Sequence, residues 1–206
     1  MFGASGGLES YAKTGRVKDR AGVLSFIRQQ IKFQLAPCDC VVLLAVMDAA
    51  KKGDLASAIA VDNLCHSMKL VSEVRTASTR SGRQLLNCVL YASPDPFARK
   101  FHQSIDKDLS AGTYPASLAV AAHSFRIPRR SALRMMLYSY CASVSGAAIR
   151  LGLLSHLDAQ KTLAELATEL DSLKVGADIG ELWQLAPVVD ILQMQHERDE
   201  LRMFIT

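Results

Sequence analysis

The sequence has no long hydrophobic run and no strong excess of charge of one sign. Its longest apolar segment, Val41–Met47, is far shorter than the roughly 20 residues that a membrane span requires. The N-terminal residues lack the basic and apolar regions of a secretory signal. The net charge is only +4 and the basic residues are scattered, so composition does not favour nucleic-acid binding. We therefore expect a soluble, cytoplasmic protein with no membrane or nucleic-acid partner.

The cysteine content argues against a disulfide framework. Five cysteines are an odd number, and 206 residues are enough to bury a hydrophobic core without cross-links. Half of the residues are apolar and 21% are charged, which is typical of a globular protein. No shift in composition marks a domain boundary. We expect reduced thiols and a single domain over residues 1–206.

Common catalytic motifs are also missing. The chain has no Gly-x-x-x-x-Gly-Lys-Ser/Thr phosphate loop, no Gly-x-Gly-x-x-Gly motif after a strand and no His-Glu-x-x-His helix. The glycine-bounded segment Gly146–Gly152 lies in a helical pattern and lacks the lysine and hydroxyl pair of a phosphate loop, so helix packing explains it better. The sequence therefore predicts a protein that is not an enzyme.

Two short clusters offer ligands for a soft metal ion. Cys38 and Cys40 flank Asp39, and Cys65 precedes His66. Neither cluster has Cys-x-x-Cys spacing, they lie about 25 residues apart, and cysteine is a common core residue. We expect no metal site and no cofactor. A helical metal carrier or enzyme that uses Cys38, Cys40, Cys65 and His66 remains the alternative, together with another kind of helical adaptor.

Apolar residues recur every three or four positions, which predicts an all-α bundle of roughly nine helices. An early stripe over residues 24–35 should end at Pro37, because proline disrupts a helix. Asp39 could then cap the next helix, which should end at Lys51-Lys52-Gly53, because cations in the last turn followed by glycine are a C-terminal signal. Ser93–Pro96 should form a turn that opens a further helix. A long helical stretch follows over Leu55–Tyr91, with a break expected near Asp62.

Later helices carry clearer boundaries. Pro128 precedes the most regular apolar stripe, and Pro187 is placed to begin the last helix. The small-residue run Ser143–Ala148 predicts close approach of a neighbouring helix.

Two charged sets leave alternatives open. Glu73, Arg75 and Arg80 form either an internally paired set or a recognition surface. A nucleic-acid duplex could bind to four arginines, Arg126, Arg129, Arg130 and Arg134. The solvated face of a helix is the simpler interpretation of the last three.

Motifs spread over nearly the whole chain resemble the UreF family of urease accessory proteins. The resemblance depends on their order and spacing, since each motif alone is weak. The segments are Ser5–Tyr11 with Gly15–Asp19, Gly53–Leu55, Glu73–Arg75 with Ser78 and Gly82–Leu86, Tyr114 with Pro115, Val144–Gly152, Gln160–Leu163, and Met194–Glu197 with Arg202–Thr206.

The chain departs from the family pattern in two places. A segment with Pro-x-Gly, which usually precedes the Ser-x-Gly-Leu-Glu motif, is expected to be missing or replaced. Leu153–His156 also stands where the family has Pro-Leu-Gly-Gln, so the backbone of that loop should differ.

The resemblance implies an all-α, non-catalytic scaffold that dimerises, and the dimer interface is one location for the close packing at Ser143–Ala148. It implies binding to UreD (also called UreH), recruitment of the GTPase UreG, and docking on apo-urease to support nickel insertion, with nickel held mainly by these partners. The C-terminal segment 196–206 would contact UreD, whereas Glu9 and Arg150 would face UreG. A favourable charge at a helix N-terminus explains Glu9 equally well, and a structural ion pair explains Arg150 equally well. The residues expected to contact partners are Glu9, Tyr11, Arg150, His196, Glu197, Arg202 and Phe204.

Overall fold

A computed structural model describes residues 5–176, 178–196 and 203–204. Across these residues all regular structure is helical, which confirms the predicted all-α class. The α-helices are α1 (Leu8–Lys13), α2 (Arg20–Gln30), α3 (Cys40–Lys52), α4 (Leu55–Met68), α5 (Ser72–Ala92), α6 (Pro96–Asp106), α7 (Tyr114–Ser124), α8 (Arg129–Arg150), α9 (His156–Ser172) and α10 (Pro187–His196). A π-helical segment, Ile31–Asp39, joins α2 to α3, and a 3₁₀ turn covers Ile179–Glu181.

The core is built around α3 and α7. α3 packs against α4, α7 and α8, while α7 also packs against α5. Every residue from Pro115 to Ala122 is buried, because the alanine-rich α7 is thin enough to be surrounded by other helices. α9 covers α8, and α10 lies against α1. The fold thereby brings the first and last helices into contact.

Several helix ends follow the predicted signals. α3 ends at Gly53, whose φ of 71° is the left-handed conformation that glycine adopts easily. Asp95 accepts a hydrogen bond from the Ala98 N–H and caps α6 next to Pro96. Pro187 begins α10 as predicted.

The prediction that Pro37 ends a helix is wrong. The chain continues through Pro37 in the π-helical segment, where the Cys40 N–H bonds the Leu35 carbonyl. A π-helical turn contains an additional residue, so it can absorb the missing proline N–H without ending the helix. Asp39 has helical dihedral angles and makes no capping hydrogen bond; its carboxylate instead accepts a hydrogen bond from Lys69 Nζ at 2.7 Å.

As a result, Arg20–Lys52 is one continuous helix of 33 residues. Among the described residues it is the single helix long and apolar enough to cross a membrane by length and composition alone. Its apolar window is 56% buried inside the protein, and the core helix of a globular protein has the same character.

The predicted break near Asp62 is also wrong. The two helices separate at residues 69–71 instead, and Asp62 lies buried inside α4. Its carboxylate accepts hydrogen bonds from Ser110 Oγ and the Gly112 N–H at 2.6 Å, and from the Thr113 N–H at 2.8 Å and Oγ1 at 2.6 Å. Asp62 therefore fixes the loop before α7 rather than ending a helix.

Candidate functional site

The C-terminal segment returns to the first helix of the protein. Glu9 on α1 accepts hydrogen bonds from the backbone N–H of Met203 at 3.0 Å and of Phe204 at 3.1 Å. The Phe204 side chain is buried and belongs to the hydrophobic core. One carboxylate near the N-terminus thus holds the described part of the C-terminal segment, residues 203 and 204.

His196, the last residue of α10, lies between two carboxylates. Its Nε2 is 3.2 Å from Glu9 Oε2, and its Nδ1 is 3.5 Å from Glu73 Oε2 on α5. Lys13 Nζ is 3.2 Å from the other oxygen of Glu9. Both Glu9 and His196 are only 3% exposed. This network, which we call the Glu9 cluster, connects α1, α5, α10 and the C-terminal segment.

Opposing effects set the charge of Glu9. Burial raises its pKa, but the hydrogen bonds from the Met203 N–H, His196, Lys13 and the Phe204 N–H lower it by more. The net pKa of Glu9 lies below the ordinary glutamate value. Glu9 is therefore ionised at neutral pH, and its full negative charge is available to bind the two backbone N–H groups.

Arg150 completes the site from the end of α8. Its guanidinium lies over the Phe204 ring, 4.5 Å from the ring centroid, which is cation–π geometry. Arg150 itself is exposed. Phe204 is thus enclosed by the core on one side and covered by a surface cation on the other.

Two glycines allow α1 to approach α10. Gly6 and Gly7 have φ values of 62° and 91°, which side chains rarely permit. A Cβ atom at Gly7 would lie 3.0 Å from Val189 Cγ1 on α10. The Gly-Gly-Leu-Glu sequence therefore suits a tight approach of the two helices, with Glu9 directed at the C-terminal segment.

Comparison with known proteins identifies the family. The family model named UreF matches residues 17–167. A urease accessory protein UreF from Yersinia pseudotuberculosis (strain PB1/+) is 31% identical, with 98% of this chain and 90% of the relative aligned. UreF proteins from Yersinia enterocolitica (serotype O:8) and Yersinia pestis (strain Pestoides F) are 30% identical over the same shares.

The chain belongs to the UreF family of urease accessory proteins. The match to the UreF model ends before α10, but the alignments with full UreF relatives cover 98% of the chain.

The structure brings together four of the seven residues that the UreF resemblance selected. Glu9, Arg150, His196 and Phe204 form one site, although their roles toward partners stay predictions. Tyr11 lies apart from them and packs edge-on against Phe26, with ring centroids 5.0 Å apart. Glu197 and Arg202 lie outside the described residues.

Sequence reasoning missed the contact between Glu73 and His196, and it did not single out Lys69 as a functional candidate. Glu73 was recognised as part of a charged set, but only the tertiary structure shows that its carboxylate lies 3.5 Å from His196 Nδ1. Lys69 lies in the linker between α4 and α5, where no local pattern marks it. Its side chain is buried and pairs with Asp39.

The two cysteine clusters also converge in part. Donor atoms of Cys38, Asp39 and Cys65 all lie within 4.8 Å of one another. Cys40 and His66 are not members of that group. The fold therefore places one thiol from each sequence cluster, Cys38 and Cys65, next to the other.

Two members of the arginine set form ion pairs, and a third contacts a backbone carbonyl. Arg129 pairs with Asp48, and Arg134 pairs with Asp171 at 2.6 Å. Arg130 donates to the Asp171 carbonyl at 3.4 Å. These contacts favour the interpretation as a solvated helix face over duplex binding.

The small-residue run in α8 packs inside the chain itself. Val144, Ser145, Ala147 and Ala148 are buried by neighbouring helices of the same molecule. A Cβ atom at Gly146 would meet nothing within 4 Å. Close helix packing at this run is thus intramolecular for four of its members.

Proposed function

We propose that this UreF-family chain is a non-catalytic scaffold in urease maturation. In this proposal it binds UreD/UreH, recruits the GTPase UreG and supports nickel insertion into apo-urease, acting as a homodimer in the cytoplasm. Nickel is then cargo that the partner proteins carry. Family membership supports the role in urease maturation, and one surface feature supports the interaction with a partner.

That feature is the outer face of α10. Val188, Ile191 and Met194 are spaced by three residues and are 41%, 55% and 40% exposed. The opposite face of the same helix buries Val189 and Leu192. Large apolar side chains that share an exposed stripe mark an interaction surface rather than an ordinary solvated helix. We assign this stripe, the α10 stripe, to UreD/UreH.

The buried part of the C-terminal segment has a different proposed role. His196 and Phe204 are 3% and 4% exposed, so a partner does not reach their side chains while the segment is docked. They would hold α10 in place, so that the α10 stripe stays exposed for binding to UreD/UreH. Contact with UreD by Glu197 and Arg202 remains part of the proposal.

Arg150 and Glu9 also differ in how accessible they are to a partner protein. The exposed guanidinium of Arg150 can face UreG directly, whereas Glu9 is buried and would act by positioning the C-terminal segment. Contact between Glu9 and UreG would require that segment to leave α1.

Co-purification with the cognate UreD tests the assignment of the α10 stripe. The double variant Val188→Glu with Ile191→Glu should lose most of the bound UreD, because two charges would have to be desolvated in an apolar interface. Tyr91→Glu is a matched control, since Tyr91 is an exposed aromatic residue (96%) on α5. Circular dichroism should show unchanged helicity in both proteins.

The outcomes separate the alternatives. Loss of UreD from the double variant alone supports the scaffold role and locates its interface. Retention of UreD by both variants would move the interface elsewhere. If folded wild-type protein retains neither UreD nor a UreD–UreG complex, the scaffold proposal is wrong.

A further inference from the structure

A buried group of two thiols and one carboxylate lies where the π-helical segment meets α4. Cys38 and Cys65 are both 0% exposed, and Cys65 Sγ is 3.8 Å from Asp39 Oδ1. All three donor atoms lie within 4.8 Å of one another. Two sulfurs bound to one tetrahedral Zn²⁺ would be about 3.8 Å apart. The donors are thus within about 1 Å of the spacing that a bound ion requires.

The π-helical segment explains why consecutive residues can share this site. Its wider turn rotates successive side chains by a smaller angle than an α-helix does, so Cys38 and Asp39 can both face α4. Cys40, two positions after Cys38, is buried elsewhere. The π-helical backbone therefore places Cys38, but not Cys40, in the group with Asp39 and Cys65.

Lys69 supplies a positive charge beside the group. The Lys69 side chain is buried, and its Nζ lies 2.7 Å from Asp39 Oδ1. This ammonium can therefore offset negative charge that the ligands bring to the site.

We propose that Cys38, Asp39 and Cys65 form a binding site for a soft divalent cation, with Zn²⁺ as the best match to a sulfur-rich donor set. Binding forms two metal–sulfur bonds and one metal–oxygen bond, and the two S–H protons leave to solvent. The Lys69 ammonium gives up its direct bond to Asp39 and stays nearby as a counter-charge. In the bound state, two thiolates, one carboxylate, the ammonium and the divalent cation have charges that sum to zero. The buried site therefore accepts the ion without acquiring a net charge.

The carboxylate side of the site borders a cavity with space for a fourth ligand. Asp39 and Lys69 line a cavity of about 430 Å³ that Asp190 and Tyr140 also border. A water molecule or another small donor in this cavity can complete a four-coordinate shell, as at zinc sites that keep one open position. By contrast, Cys141 is buried outside the group, and Cys88 is exposed.

The site does not depend on the proposed scaffold role. Its test uses the isolated, reduced chain with no UreD or UreG present, so failure of one proposal leaves the other standing.

Metal titration of the purified chain tests the site, with a non-thiol reductant present. We expect one Zn²⁺ per chain by competition with a chromophoric chelator, with release of about two protons per ion. Substitution with Co²⁺ should give the near-ultraviolet absorption of a thiolate–cobalt bond. Cys38→Ser and Cys65→Ser should each weaken Zn²⁺ binding more than about tenfold.

Cys40→Ser and Cys88→Ser are the matched controls, one buried thiol from the adjoining helix and one exposed thiol. Both should bind Zn²⁺ as the wild type does. Absence of the thiolate–cobalt absorption in folded wild-type protein would overturn the proposal even if the Cys38 and Cys65 variants do not fold. Unchanged affinity in those two variants would equally overturn it.

Discussion

Glu9 and His196 are separated by 187 positions in the sequence, yet Glu9 Oε2 lies 3.2 Å from His196 Nε2 inside the protein. The contact joins α1 to the end of α10, and the same carboxylate binds the backbone of the C-terminal segment. The placement of that segment therefore depends on the charge of one residue near the N-terminus.

We expect Glu9→Gln to lower the free energy of unfolding by about 2 kcal/mol at neutral pH, because the bonds to a charged acceptor are lost. The pKa of Glu9 is depressed in the folded state, so its ionisation stabilises the protein above the ordinary glutamate pKa. That contribution disappears as the pH falls through the depressed value. The difference between wild type and variant should thus shrink below about pH 4.

Denaturant unfolding at neutral and acidic pH measures this difference. Glu181→Gln is the control, because Glu181 is exposed in the 3₁₀ turn and should change stability little at either pH. An equal loss of stability from Glu9→Gln at both pH values would show that the charge of Glu9 is not the cause.

Phe204→Ala should loosen the C-terminal segment without unfolding the bundle. The ring is 4% exposed and supports both core contacts and the cation–π contact of Arg150. Hydrogen exchange should accelerate by about tenfold or more at the amides of residues 203 and 204, since burial of a phenylalanine contributes several kcal/mol. Arg150→Ala should produce a smaller acceleration, because an exposed cation–π contact contributes about 0.5–1 kcal/mol. Unchanged exchange in Phe204→Ala would show that the ring does not hold the segment.

Two glycine-to-alanine changes should shift stability in opposite directions. A Cβ atom at Gly82 would lie 2.2 Å from the Gly112 carbonyl oxygen, so Gly82→Ala must force α5 away from the loop before α7. A Cβ atom at Gly146 meets nothing within 4 Å, and Gly146→Ala in the interior of α8 should stabilise by about 0.5–1 kcal/mol through helix propensity. Thermal unfolding of both variants checks this contrast. A Gly82→Ala protein as stable as wild type would contradict the close approach.

Asp62→Ala should destabilise the protein by about 3 kcal/mol or more, since it leaves several buried donors without an acceptor. Asp171→Ala removes an exposed ion pair with Arg134 and should cost about 0–1 kcal/mol. Denaturant midpoints compare the two. Similar small losses would mean that the loop before α7 does not need the Asp62 carboxylate.

Sequence patterns predicted the helical class well because their signals are local. The glycine after α3, the proline that begins α10 and the apolar spacing of α8 each act within a few turns of the chain. Pro37 and Asp62 misled the prediction for the same reason. Proline usually ends a helix, but the π-helical segment accommodates Pro37 without ending the helix. A polar residue in an apolar pattern suggests a break, but distant loop donors satisfied Asp62.

By itself, the sequence determined the all-α class, several helix ends and the UreF resemblance, because periodicity, capping and ordered motifs are properties of neighbouring residues. Only the tertiary structure decided that Glu9 meets His196 and Phe204, and that Cys38 and Asp39 meet Cys65. These contacts join residues from different helices, so they depend on which faces pack together and on how the π-helical turn rotates its side chains. Burial then gives these contacts their strength, because water no longer competes for the charges and hydrogen bonds.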